Sequence, residues 1–165
     1  MADEDCDNLQ DGIQQEIDAW AALGHPALLQ RFVLRNGKAY AWRPRIGPKL
    51  PAKLCFQNAA LLALKGMGTY VEGLALRPGM GIIIHHAWLD VDGEAMDPTW
   101  EAAEDNQYFG VGIPTPMLQE ELLRNGTYGL FDLGTRLNLE LMLKIDPDLA
   151  QFFPKNFVLP AGAGP

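Results

Sequence analysis

Three side chains in this sequence could do covalent chemistry together: Cys55, His86 and Asp97. Cys55 follows a proline-rich loop and opens a stretch that should be helical. A thiol at a helix N-terminus faces unpaired N–H groups and the positive end of the dipole, which lowers its pKa and favours the reactive thiolate. Lys53 and the basic stretch before it push in the same direction. Position alone leaves a second reading open, in which Cys55 is a small buried hydrophobe, as most lone cysteines are.

The segment IIIHHAWLDVDGEAMDPTW supplies the other two groups. Asp92-Gly93 is a strong two-residue turn signal between two apolar runs, so the segment should be a hairpin with Val91 opposite Glu94. In that register Trp88 lies opposite Asp97, and His86 opposite Thr99. His86 and Asp97 then share a face as diagonal neighbours. His85 points the other way, with Leu89, Val91 and Met96. A three-residue turn would exchange the two histidines. A carboxylate that holds an imidazole in one tautomer is what the base of a thiol nucleophile needs. Spacing alone also fits two ordinary strand residues. A metal pair at His85-His86 is excluded by geometry, because adjacent strand residues face opposite sides.

The elements that must position these groups follow from periodicity. Leu9, Ile13, Ile17, Trp20 and Leu23 recur at helical spacing, and Gly24 ends that helix with Pro26 close behind. RFVLRNGKAYAW is expected to be a hairpin around Asn36-Gly37, and the three prolines of residues 43–51 mark a loop. CFQNAALLALKGMG should form a buried helix over Cys55–Lys65, stopped by Gly66 or Gly68. YVEGLAL, GIIIHHAWLDV, EAMDPTW and YFGVGIP are four successive short strands, which favours an antiparallel meander. TPMLQEELLRNG is a helix with Thr115 as N-cap and Gly126 as its stop. LNLELMLKI alternates like a strand but is made of helix formers. Glu72 fits an edge residue or a partner for Arg77; a second reading has it facing the Cys55 helix and tuning it.

The order of motifs, Cys55-Phe-Gln-Asn-Ala at a helix start, His86-Ala-Trp-Leu-Asp-Val on a strand and Met-Asp97-Pro-Thr-Trp on the next, resembles the transglutaminase-like branch of papain-like cysteine enzymes. The resemblance covers residues 55–111. It implies an α+β, papain-like fold with the nucleophile helix packed on an antiparallel sheet. It also implies a Cys55–His86–Asp97 triad and acyl transfer from an amide through a thioester. Members of that family often carry an oxyanion-stabilising Gln or aromatic residue shortly upstream of the Cys. Here Trp42 stands at a distance and Gln57 follows, so these two are the candidate donors beside the backbone N–H of Cys55. Trp88 and Trp100 are candidates for core or cleft wall. No cofactor or metal is implied, and no EF-hand loop points to calcium.

Composition sets the outer limits. The chain has 165 residues, 48% of them apolar and 21% charged, which suits one globular domain and excludes a disordered chain. We expect an acidic arm over 1–12, a single catalytic domain over 13–160 and a glycine-rich tail over 161–165. No apolar run approaches the ~20 residues of a membrane span, and the acidic N-terminus is unlike a secretory signal. A cytoplasmic protein is expected, although a delivered effector would look the same. Cys6, in its acidic surroundings, should be inert.

Charge is segregated. Residues 1–30 hold seven acids and no Lys or Arg, whereas 31–71 hold eight bases and no acid. The net charge of −8 disfavours a nucleic-acid partner. The two blocks could neutralise each other, with the arm lying over the basic face. The function that the triad and the resemblance imply is a thiol enzyme acting on an amide of a protein or peptide, by hydrolysis or deamidation rather than cross-linking. The alternative is an inactive relative that binds an acidic partner through its basic 31–53 segment. A complete triad favours the enzyme, and a blocked or absent cleft favours the binder.

Overall fold

The computed structural model describes residues 8–101 and 104–158. Cys6 and the 161–165 tail lie outside the described residues. Among them the chain forms α1 (Leu9–Ala22), α2 (Leu28–Asn36), β1 (Lys38–Arg43), α3 (Cys55–Leu64), β2 (Thr69–Leu76), β3 (Ile83–Val91), β4 (Glu94–Met96), β5 (Gln107–Ile113), α4 (Thr115–Asn125), α5 (Arg136–Ile145) and a 3₁₀ turn, Pro147–Phe152. The α+β class expected from the sequence is observed. None of the helices is long and apolar enough to cross a membrane.

The strands close into a small barrel in the order β1-β4-β3-β2-β5. This corrects the expected meander. β2, β3 and β4 do follow one another as antiparallel neighbours, but β5 pairs with β2 rather than β4. β1 then joins the two free edges, parallel to β4 and antiparallel to β5. Closure leaves no unpaired edge along most of the sheet.

Alternation along each strand separates two cores. Tyr40, Val71, Ala75, Trp88, Ala95 and Tyr108 gather on one face and fill the barrel. Tyr70, Leu74, Leu89, Met96 and Phe109 face the other way, onto Ile13, Phe32, Ala59 and Leu139 from the helices. So small a barrel has room for the Trp88 ring only because its neighbour has no side chain. A Cβ on Gly110 would stand 2.7 Å from Trp88 Cη2, and one on Gly73 would stand 2.3 Å from the Phe109 carbonyl.

Several local expectations are corrected. Residues 28–36 form a helix, not the first strand of a hairpin at Asn36-Gly37. Leu28, Phe32 and Val33 bury one face of it, and Gly37 is extended (φ −96°, ψ 179°) rather than in a tight turn. Arg35 and Asn36 are both fastened to Asp146, far away in sequence. The 9–12 part of the expected arm belongs to α1, where Leu9 and Gly12 are buried. At the other end of α1, Trp20 and Leu23 are exposed rather than on its buried face. Thr115 is the first residue of α4 and Pro114 its cap. The ambiguous 136–145 run is α5, whose start is fixed by the Thr135 side chain accepting from the Asn138 N–H.

Among the described residues, the basic segment pairs with acids from later in the chain. Arg35 pairs with Asp146, Lys38 with Asp90, Arg43 with Asp92 and Glu94, and Lys49 with Glu101. All of these acids come from residues 90–146.

Candidate active site

The β3–β4 hairpin has the expected register: Val91 faces Glu94, Asp90 faces Ala95 and Leu89 faces Met96. Asp92 and Gly93 both have positive φ, 56° and 87°, as a two-residue turn of this kind requires. β4 stops at Met96, so Asp97 lies just beyond the ladder in the turn that Pro98 begins. β3 pairs with β4 only over Leu89–Val91. The side of β3 next to His86 is therefore left to the Asp97 turn and to the start of α3.

Within this corner the His86 ring is 1% exposed and Asp97 5%. His86 Nε2 lies 2.7 Å from Asp97 Oδ2. The remaining capacity of the carboxylate is also filled. Oδ1 accepts from the Thr99 and Trp100 N–H groups at 2.8 and 3.0 Å, and Oδ2 accepts from the Tyr108 hydroxyl at 3.0 Å. The Trp100 ring stacks on the imidazole, centroids 4.0 Å apart and planes 21° from parallel. Burial alone would lower the pKa of His86. Hydrogen bonds to Asp97 and to the Cys55 thiol outweigh it and push the imidazole up to about 9. Burial alone would raise the Asp97 carboxyl, but His86 and the two backbone N–H groups hold it below the usual carboxylate range.

Cys55 is the first residue of α3 and is half-buried. Its helix has no side-chain cap, so the first-turn N–H groups are left for whatever sits at that end. The first internal bond of the helix is Asn58 N–H to the Leu54 carbonyl. Asn58 also locks this end of α3 to the Asp97 turn: its Nδ2 donates to Thr99 Oγ1 at 3.0 Å and to the Pro51 carbonyl at 2.9 Å. Cys55 and His86 are thereby brought within interaction distance although 31 residues separate them. Nε2 is committed to Asp97, which leaves Nδ1 as the ring nitrogen available to the thiol.

The other named candidates divide. Trp88 is fully buried inside the barrel and forms no cleft wall; the indole that covers the histidine is Trp100. Trp42 packs against the barrel core cluster beside β4 and has no described contact with Cys55. Gln57, half-buried in the first turn of α3, makes no side-chain hydrogen bond among the described residues. Asn58, Thr99 and Tyr108 escape sequence reasoning as site residues, whereas Trp100, a candidate for core or cleft wall, is the ring that covers the histidine. Asn58 carries a signal, being the polar residue one turn after Cys55 in an otherwise Ala- and Leu-rich helix. Tyr108 carries none, since only barrel closure brings β5 to Asp97.

Glu72 is neither an edge residue nor a partner of Arg77. It is fully buried and accepts from Tyr70 Oη, the Leu130 and Phe131 N–H groups, and His85 Nε2, at 2.6, 2.7, 2.8 and 2.9 Å. His85 packs edge-on against Phe56, on the opposite face of β3 from His86.

Cavities occur elsewhere. One of about 550 Å³ lies between α1 and the loop joining β2 to β3, another of about 530 Å³ beside β1 and β5, and neither is lined by Cys55, His86 or Asp97. Among the described residues no three His, Cys, Asp or Glu side chains gather as a metal site. No protein-family model matches this chain, and no curated protein or solved structure does so either.

Proposed function

We propose that this protein is a cysteine-dependent acyl-transfer enzyme acting on an amide bond of a protein or peptide, by hydrolysis or deamidation. One observation carries the reading. A fully buried imidazole is held by a carboxylate through Nε2 while its charged form is favoured by a thiol at an open helix N-terminus. A structural histidine needs no thiol among the groups that act on it.

The chemistry follows from those positions. His86 Nδ1 takes the proton of the Cys55 thiol, and Asp97 steadies the resulting imidazolium. The sulfur attacks the amide carbonyl carbon, and the developing oxyanion is met by first-turn N–H groups of α3. The imidazolium returns its proton to the leaving nitrogen as the C–N bond breaks, giving a thioester. Water, deprotonated by His86, then cleaves the thioester and restores the thiol. Packing of α3 on β2 and β3 supports a transglutaminase-like arrangement as part of the same proposal.

The binding alternative draws on the position of the larger cavities, which lie away from the triad. Its basic surface is less available than the sequence suggests, because Arg35, Lys38, Arg43 and Lys49 are already paired. The test treats a cell lysate with wild-type protein and with Cys55→Ala, then compares peptides by mass spectrometry. Deamidated side chains or new chain termini made only by the wild type support the enzyme. Identical lysates overturn it.

A further inference from the structure

Tyr108 lies outside every motif, yet its hydroxyl touches the carboxylate that orients His86. The ring belongs to β5, is 2% exposed and packs against Trp88 with centroids 5.1 Å apart. Its hydroxyl has two described partners: Asp97 Oδ2 at 3.0 Å and Asn106 Nδ2 at 3.3 Å. The direction of these bonds can be deduced. Asn106 Nδ2 also lies 3.1 Å from the Glu101 carbonyl, which can only accept. The amide therefore presents its NH₂ to this side, and the Tyr108 oxygen receives from it. The hydroxyl proton is left with Asp97 as its acceptor.

We propose that Asn106 and Tyr108 form a directed hydrogen-bond relay that positions Asp97 and thereby selects the tautomer of His86 that serves Cys55. Donors surround the carboxylate: two backbone N–H groups on Oδ1, and Tyr108 on Oδ2. These donors, together with His86, favour the charged form and hold Asp97 below the usual carboxylate range, so it is ionised at neutral pH. His86 must then offer its Nε2 proton to Asp97, and Nδ1 is left unprotonated in the neutral ring, free to act as the base. Tyr108 acts through Asp97 and is a positioning residue. The ionisable groups facing the relay are Cys55 from α3, His86 from β3, Asp97 itself, and Arg77 at the end of β2, whose charge acts on Tyr108.

The inference rests on the proposed thiol chemistry for its purpose, but its test does not. Full-length protein with ¹⁵N-labelled histidine is titrated by NMR, as wild type, Tyr108→Phe and Asn106→Leu, with melting curves to confirm folding. In the wild type, neutral His86 should carry its proton on Nε2. Tyr108→Phe should move the His86 titration down by about one pH unit, a tenfold change in proton affinity, with signal from the second tautomer appearing. Asn106→Leu, which frees the hydroxyl to turn away, should give a smaller shift in the same direction. Unchanged titration and tautomer in whichever variant folds overturns the relay. Slow alkylation of wild-type Cys55 at pH 6 would instead overturn the thiol reading, while the NMR titration would still decide the relay.

Discussion

His85 and His86 are neighbours in the chain and opposites in the barrel, and each holds a buried carboxylate through Nε2. His86 meets Asp97 at 2.7 Å and His85 meets Glu72 at 2.9 Å. What differs is the other company each carboxylate keeps. Asp97 is braced by its own turn and by Tyr108, so it is anchored by groups other than the histidine, and Nδ1 of His86 is left over for Cys55. Glu72 is used up in tying Leu130 and Phe131 to the sheet, where Gly129 lies against Phe56. A His–carboxylate pair is therefore not a site by itself. The local surroundings decide whether its chemistry is spent on holding the chain or left available.

The comparison is broken most severely at Glu72. Glu72→Ala strands two buried N–H groups, the Tyr70 hydroxyl and His85, and should cost about 3 kcal/mol or more of unfolding free energy in denaturant titration. Folded molecules should keep their Cys55 reactivity. His86→Ala should do the reverse, slowing iodoacetamide alkylation of Cys55 near neutral pH by about 100-fold while leaving most of the fold standing. A smaller effect is expected in the pH dependence of stability. His86 titrates at about 9 in the folded protein, above its unfolded value, so its contribution is complete below roughly pH 6.5 and fades as pH rises through 9. Asp97, held low, contributes above the ordinary carboxylate range and loses its contribution on acidification. The gap in unfolding free energy between wild type and His86→Gln should thus be widest near pH 6 and close toward alkaline pH. Least affected should be Cys55 alkylation in His85→Gln, within about twofold of wild type; a large loss there would mean that both histidines serve the thiol.

Legibility in the sequence tracks the distance over which each feature is decided. The β3–β4 register is readable because one turn, Asp92-Gly93, sets it locally. So is α3, from its Ala and Leu content and the glycines that follow. Residues 28–36 mislead because Asn36-Gly37 is a strong local turn signal. It is overridden by the burial of Phe32 and Val33 and by the bonds of Arg35 and Asn36 to Asp146. Glu72 is hidden from local reading for the same reason: the N–H groups that need it lie 58 and 59 residues further on. At the site, the meeting of His86 with Asp97 follows from strand alternation. The cover by Trp100 and the bond from Tyr108 do not, because a turn beyond the ladder and a strand on the far side of the barrel supply them.

Barrel closure by β1 also sets an order of events in folding. The β2–β3 and β3–β4 pairs join segments that are close along the chain, so they can form as soon as they are made. β1 must wait, since Ala41 pairs with Glu94 and Lys38 with Gly110; closing loops of that size comes late. Until then the sheet has two sticky margins, along β4 and β5, open to strands of other molecules. A chain lacking β1 keeps those margins permanently, and the expected fate of such a fragment is self-association rather than a smaller soluble domain.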